Sequence, residues 1–218
     1  MEIASGVYQL GVSRASNCFF IREPVPTLID TSVPGRVGKV AEELLKLGVG
    51  LHELRRLILT HYHLDHIGNA QALRRVSGMR VYLHPLDVPY LLGEKHSGPL
   101  VARAVNGLMS SRMRYGPPWP VLPIEDGQLL EGDIQVVHTP GHTPGHVCLL
   151  QGGVLFAGDA FVTGEKFRET PPFFTQDRVR SRESIEKLRN CSFHTAVSGH
   201  GQPTAGAPAK LEQFVSSL

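Results

Sequence analysis

HYHLDH, residues 61–66, follows the apolar run LRRLILT (54–60) without a break. A single histidine here would read as a solvated residue at a helix entry. Three imidazoles and a carboxylate within six residues do not fit that reading. The run before them reads as a buried strand, and a chain leaving a strand can set alternate residues on one side. His61 and His63 can then share one metal ion, while Asp65 and His66, past the turn, point to a second. Imidazole combined with carboxylate suits zinc, iron or manganese.

The surrounding composition is ordinary. The chain has 218 residues, 41% hydrophobic and 19% charged, enough for one sizeable core without forcing a second domain. The formal net charge is +2 and no Lys/Arg run occurs, so nucleic acid is not an expected partner. MEIASGVYQLGV lacks a basic stretch followed by an apolar core, and no run has the length of a membrane span. A cytoplasmic location is the expectation. Cys18, Cys148 and Cys191 are odd in number, widely spaced and free of any CxxC pair, which predicts reduced, buried thiols. The eleven histidines are the anomaly, because six of them fall in two clusters.

Outward from residues 61–66, VYQLGV, NCFFI and PTLID read as strands. VGKVAEELLKLG reads as a helix closed by Gly48, IGNAQALRR as another helix, and MRVYLH as a strand. Residues 85–120 mix short helical pieces with Gly and Pro, and read as a lid-like insertion containing His96. GQLLEGDIQVVHT, HVCLLQGG, VLFAGDAF and TAVSGH are further strands; RESIEKLRNC and PAKLEQFVSSL are helices. No linker divides the chain, so one domain over 1–218 is expected, with two halves of similar β-then-α content.

The second histidine cluster is HTPGHTPGH, residues 138–146. Its spacing of four is helical, but Pro140 and Pro144 each lack an amide hydrogen and push their predecessors out of the α region. The stretch is therefore a loop. Local physics does not choose among His138, His142 and His146.

HYHLDH resembles the HxHxDH signature of the metallo-β-lactamase superfamily. In the same order, TLIDTS, TPGHTPGH, LFAGDAF and VSGHG resemble the family's other motifs, over about residues 28–201. The resemblance implies an α/β fold, a four-layer αβ/βα sandwich of two mixed sheets flanked by helices. It implies two divalent metal ions, zinc foremost, with iron or manganese as alternatives. His61, His63 and His142 would hold the first, Asp65, His66 and His200 the second, and Asp159 would bridge them. Asp30 would support the HxHxDH loop by hydrogen bonds, and His146 would support the site beside His142. His138 is given a packing or surface role and His84 a structural one. Gly158 and Gly199 would let the backbone turn tightly beside Asp159 and His200.

The implied chemistry is hydrolysis by a hydroxide held between the ions, with Asp65 holding or relaying a proton. Oxygen-reducing relatives carry Glu where this chain has His63, and B1 β-lactamases lack a counterpart of His66. RNA-processing relatives carry an additional arm. Glyoxalase II enzymes carry a helical domain after the last histidine, where eighteen residues follow here. Many acyl-homoserine-lactone lactonases have Tyr at the position of Val162. The expectation is a glyoxalase II-like hydrolase of a small thioester, ester or lactone. Its rivals are a one-iron persulfide dioxygenase, a nuclease and a non-catalytic binding module. Phe167, Phe173 and Phe174 would offer apolar walls and Arg168 a cation to the substrate. The expected partner is a small molecule, with a homodimer allowed and no membrane involved.

Overall fold

Buried strands whose two faces both meet protein read as continuous apolar runs, and the alternation of side chains sorts each run into two cores. The computed structural model describes residues 1–95 and 120–218. One sheet has seven strands in the order β1 (Glu2–Ala4), β2 (Val7–Leu10), β3 (Cys18–Ile21), β4 (Thr27–Ile29), β5 (Arg56–Ile58), β6 (Arg80–Leu83) and β7 (Val121–Pro123). The pairs from β1 to β4 are antiparallel and those from β4 to β7 parallel. The six-stranded sheet runs β13 (Thr204–Ala205), β12 (Thr195–Val197), β11 (Val154–Phe156), β10 (Val147–Gln151), β9 (Ile134–His138), β8 (Leu129–Leu130). Only its β11–β12 pair is parallel.

Within β3, Phe19 and Ile21 face the other sheet, while Cys18 and Phe20 face the helices α1 (Val37–Leu45) and α3 (Ala70–Ser77). Within β10, Val147 and Leu149 face inward, while Cys148 and Leu150 meet α5 (Arg178–Lys187) and α6 (Ala207–Val215). The central core crosses between the sheets, where Phe19 and Phe156 meet edge-on at 5.5 Å between ring centres. Two sheets between two helical layers make the expected αβ/βα sandwich. Cys18 and Cys148 are buried, and burial pushes the Cys148 thiol up to about 12. They are packing residues.

Two local expectations change. The helix expected from Ile67 onward is split. A turn, α2 (Leu64–Ile67), starts inside HYHLDH, and α3 follows. Gly68 between them lies so close to Pro34 that a Cβ would stand 2.4 Å from its nitrogen. Asn69 then donates to Thr31 O at 2.6 Å and Val33 O at 2.8 Å, fixing the break. Residues 85–91, read as the start of a lid, form a 3-10 turn (Pro85–Asp87) and α4 (Val88–Leu91), with Asp87 and Leu91 buried. The rest of that segment, residues 96–119 with His96, lies outside the described residues.

Candidate metal centre

The motif residues leave the ends of β4, β5, β9, β11 and β12. Parallel pairing of β4 with β5 and of β11 with β12 brings the carboxyl ends of four of these strands to one edge. There His142 Nε2 lies 2.9 Å from His63 Nδ1 and 3.3 Å from His61 Nε2. His200 Nε2 lies 3.3 Å from both Asp65 Oδ2 and Asp159 Oδ2. Asp159 stands between these groups, with Oδ2 3.5 Å from His142 Nε2 and Oδ1 3.5 Å from His66 Nε2. Among the described residues, three overlapping sets have donor atoms within 4.8 Å of one another: His61, His63 and His142; His61, His66 and Asp159; Asp65, His66 and His200. Gly199 permits this approach, because a Cβ there would lie 2.2 Å from Asp159 Oδ1.

Hydrogen bonds behind the cluster fix which imidazole nitrogens face it. Asp30 Oδ1 accepts from Thr60 N at 2.8 Å, and its Oδ2 accepts from the Thr60 hydroxyl at 2.7 Å and from His66 Nδ1 at 2.8 Å. The Thr60 oxygen, having given its proton to Asp30, accepts from His61 Nδ1 at 3.0 Å. Both rings therefore turn Nε2 inward, the nitrogen left for a metal. Asp30 adopts φ +56°, a conformation sparsely used by side-chain-bearing residues, to make these contacts.

Burial and mutual contact shift every group of the cluster. Burial and neighbouring histidines hold His61 and His142 well below the usual range, and burial brings His63 to about 4. Burial also works against a proton on His66, but Asp159 and Asp30 outweigh it and hold that ring well above its usual value. Hydrogen bonds to Asp159 and Asp65 raise His200 to about 10. Burial opposes the charge on Asp159, yet His66, His200 and His142 keep its carboxyl well below the carboxylate range. His66 Nε2 and Asp159 Oδ1 are nevertheless buried without hydrogen-bond partners. Such orphaned donor atoms, in a set of imidazoles and carboxylates, fit divalent metal.

The three histidines of residues 138–146 separate cleanly. His142 reaches the cluster. His146 does not: its Nε2 accepts from Asp159 N at 2.9 Å and its Nδ1 pairs with the Thr139 hydroxyl at 2.8 Å, so both nitrogens are engaged. Burial holds it neutral, with a pKa near 3. His138 stacks on His84 at 4.1 Å and bonds Pro144 O at 2.9 Å.

The residues proposed for substrate diverge. Phe167 is 6% exposed and stacks on Phe161 in the core of the second sheet, so it is no substrate wall. The ladder bridge between Val162 and Arg168 sets this facing, turning Phe167 in and leaving Arg168 exposed. Phe173 and Phe174 are 61% and 57% exposed on a 3-10 turn (Pro172–Phe174). That turn hangs on the site: Thr170 donates to Asp159 O, Gln176 N to His142 O, and Gln176 Nε2 to the Tyr62 hydroxyl.

Sequence reasoning missed Asp87. Its buried carboxylate accepts from Tyr62 N at 3.1 Å, the Thr143 hydroxyl at 2.7 Å and Gly145 N at 2.6 Å. Burial pushes its pKa up to about 6 against those donors. The signal available was slight: a carboxylate after a strand and a Pro, in HPLD.

Two facing sheets with a buried His/Asp cluster at their common edge define a class of proteins built around a metal site. The sequence model of the metallo-β-lactamase superfamily matches residues 12–200, and the chain belongs to that superfamily. The probable metallo-hydrolase YflN of Bacillus subtilis (strain 168) is 32% identical over 232 residues, covering 94% of this chain and 87% of its own. The metallo-β-lactamase family protein TTHA1429 of Thermus thermophilus superposes with TM-score 0.79 at 24% identity, covering 99% of this chain and 80% of that one. TTHA1623, solved in a di-iron-bound form, gives TM-score 0.69 at 27% identity, covering 92% and 96%. Among the described residues, no helix is long and apolar enough to cross a membrane.

Proposed function

We propose that this protein is a glyoxalase II-like metal-dependent hydrolase of a small thioester, ester or lactone. The observation that carries the reading is the convergence of seven buried or half-buried His and Asp side chains in overlapping ligand sets. The similarity to YflN, named a probable metallo-hydrolase, supports it. His61, His63 and His142 would hold one ion and Asp65, His66 and His200 a second, with Asp159 available to both. Zinc suits this donor set, and TTHA1623 carries iron. Divalent ions bound there supply Lewis acidity and an ionised water at neutral pH.

The chain's own residues do the rest. Asp30 and Thr60 hold the ring orientation of His61 and His66. Asp65 is half-exposed and is the one carboxylate of the set open to solvent; burial opposes its ionisation but His200 and His66 keep it charged. It is placed to accept a proton. The exposed Phe173–Phe174 turn, tethered to Asp159 and His142, offers an apolar surface for the acyl side of the substrate.

The test is metal quantification joined to turnover on a panel of thioesters, esters and lactones. About two ions per chain are expected, with hydrolysis that Asp159→Ala abolishes. One iron per chain, with thiol-dependent oxygen uptake and no hydrolysis, would overturn the reading.

A further inference from the structure

Each ligand triad takes side chains from both halves of the chain. His61 and His63 follow a strand of the first sheet, and His142 follows one of the second. Asp65 and His66 belong to the first half, and His200 to the second. Packing of the central core alone does not set two loops to the tolerance that a metal demands. Each triad has a polar bridge across the halves that bonds the ligand loops themselves, beside outer contacts such as that of Gln176 Nε2 with the Tyr62 hydroxyl.

For the first triad the bridge is Asp87. It holds Tyr62 N, between His61 and His63, and on the other side holds Thr143 and Gly145, which follow His142. Gly145 has no room for a side chain: a Cβ would lie 2.8 Å from the Asp87 carboxylate and from its backbone nitrogen. For the second triad the bridge is Ser16–Asn17. The Ser16 hydroxyl donates to Asp65 O at 2.5 Å. The Asn17 amide donates to Ser198 O at 2.9 Å and Gly201 O at 3.1 Å, and its backbone N–H donates to Gly199 O at 2.7 Å, so that it surrounds His200. Gln9 Nε2, donating to Asn17 Oδ1 at 2.6 Å, orients that amide.

We infer that Asp87 and Asn17 are separate positioning residues, one for each metal site. Asp87 sets the distance between His63 and His142. Asn17 sets the distance between His200 and Asp65. The inference rests on the two-site reading above, and it predicts a double dissociation that general loss of stability does not produce.

The experiment is Zn²⁺ competition against a chromophoric chelator, with apo-protein melting measured alongside. His63→Ala and His200→Ala assign the two binding phases to the two sites. Asp87→Asn keeps the shape but turns an amide donor on either Gly145 N–H or Tyr62 N–H. It should weaken the first-site phase by about 10–100-fold and leave the second within about threefold. Asn17→Ala should do the reverse. Thr143→Val removes one of the three donors, moves the first phase in the same direction by less, and carries that arm if Asp87→Asn does not fold. Losses that fall equally on both phases, or on neither, overturn the positioning roles while leaving two sites intact. A wild-type chain that binds a single ion overturns the two-site reading and the assignment with it.

Discussion

Residues 139–142 and 143–146 spell TPGH twice, and the fold gives the two copies different work. In the first, Gly141 lies against the start of α5 and His142 reaches the His/Asp cluster. In the second, Thr143 and Gly145 hold Asp87, and His146 turns beneath the cluster to accept Asp159 N. The difference comes from position in the loop. His146 stands at the base, where Thr139 N bonds its carbonyl at 2.9 Å and Val147 N bonds Thr60 O at 2.9 Å. His142 stands between the prolines, away from any strand ladder, and its ring is free to enter the cluster. Identical letters thus put one ring in the cluster and the other beneath it.

Exchanging each histidine for alanine is the strongest way to break that contrast. His142→Ala should weaken first-site metal binding by more than roughly 100-fold, the bound on losses for residues one step removed from a metal. His146→Ala should keep two ions at saturating metal. It leaves Asp159 N–H buried without its acceptor, which costs about 1–3 kcal/mol of stability. Metal content by elemental analysis and thermal melting separate the two. Full loss of one ion in His146→Ala, with none in His142→Ala, would reverse the assignment.

The glycines give the next largest effect. At Gly141, with φ +135°, a Cβ would stand 2.2 Å from Ser181 N. At Gly145 it would meet Asp87 at 2.8 Å. Gly141→Ala should therefore cost at least about 3 kcal/mol, the upper end for overpacking. That is roughly 6–12 °C of melting temperature for a chain of this size. Gly145→Ala should cost less in melting and more in first-site metal affinity. Equal melting losses with unchanged metal would remove the distinction between the copies.

The architecture was legible in the sequence because strands buried on both faces leave continuous apolar runs, as in NCFFI and HVCLL. The clustering of these His and Asp residues was legible because four of them lie within residues 61–66, and the others sit in short Gly-containing motifs. Asp87 was not legible. Its partners lie 25 to 58 positions away, and nothing local marks PLD as a bridge. Phe167 was misread for the opposite reason. KFRETPPFF puts three phenylalanines close in sequence, but a two-residue bridge turns Phe167 onto Phe161 and Phe214, while the 3-10 turn presents Phe173 and Phe174 to solvent.

The smallest expected effect probes the outer support of the first TPGH copy alone. Glu169 precedes Thr170, which is bonded to Asp159 O, and pairs with Arg178 at 2.6 Å and Arg182 at 2.8 Å on α5. The same helix begins at Asp177, whose N–H bonds Gly141 O at 2.9 Å. Hydrogen bonds from Arg182 and Arg178 lower the Glu169 pKa from 4.5 to about 2. A carboxyl lowered on folding contributes stability above its unfolded value and loses it as pH falls toward the folded one. Arg178 is exposed and Arg182 half-exposed, so solvent screens the pair and the contribution stays below about 1 kcal/mol. Glu169→Gln should thus melt slightly below wild type at pH 7. The gap should narrow as pH falls below 4.5, and also in high salt. Its first-site metal affinity should change no more than its second-site affinity, because the helix meets Gly141 through backbone that Glu169 does not touch. A gap that widens toward acid pH would show that the arginines, rather than the ion pairs, hold the segment.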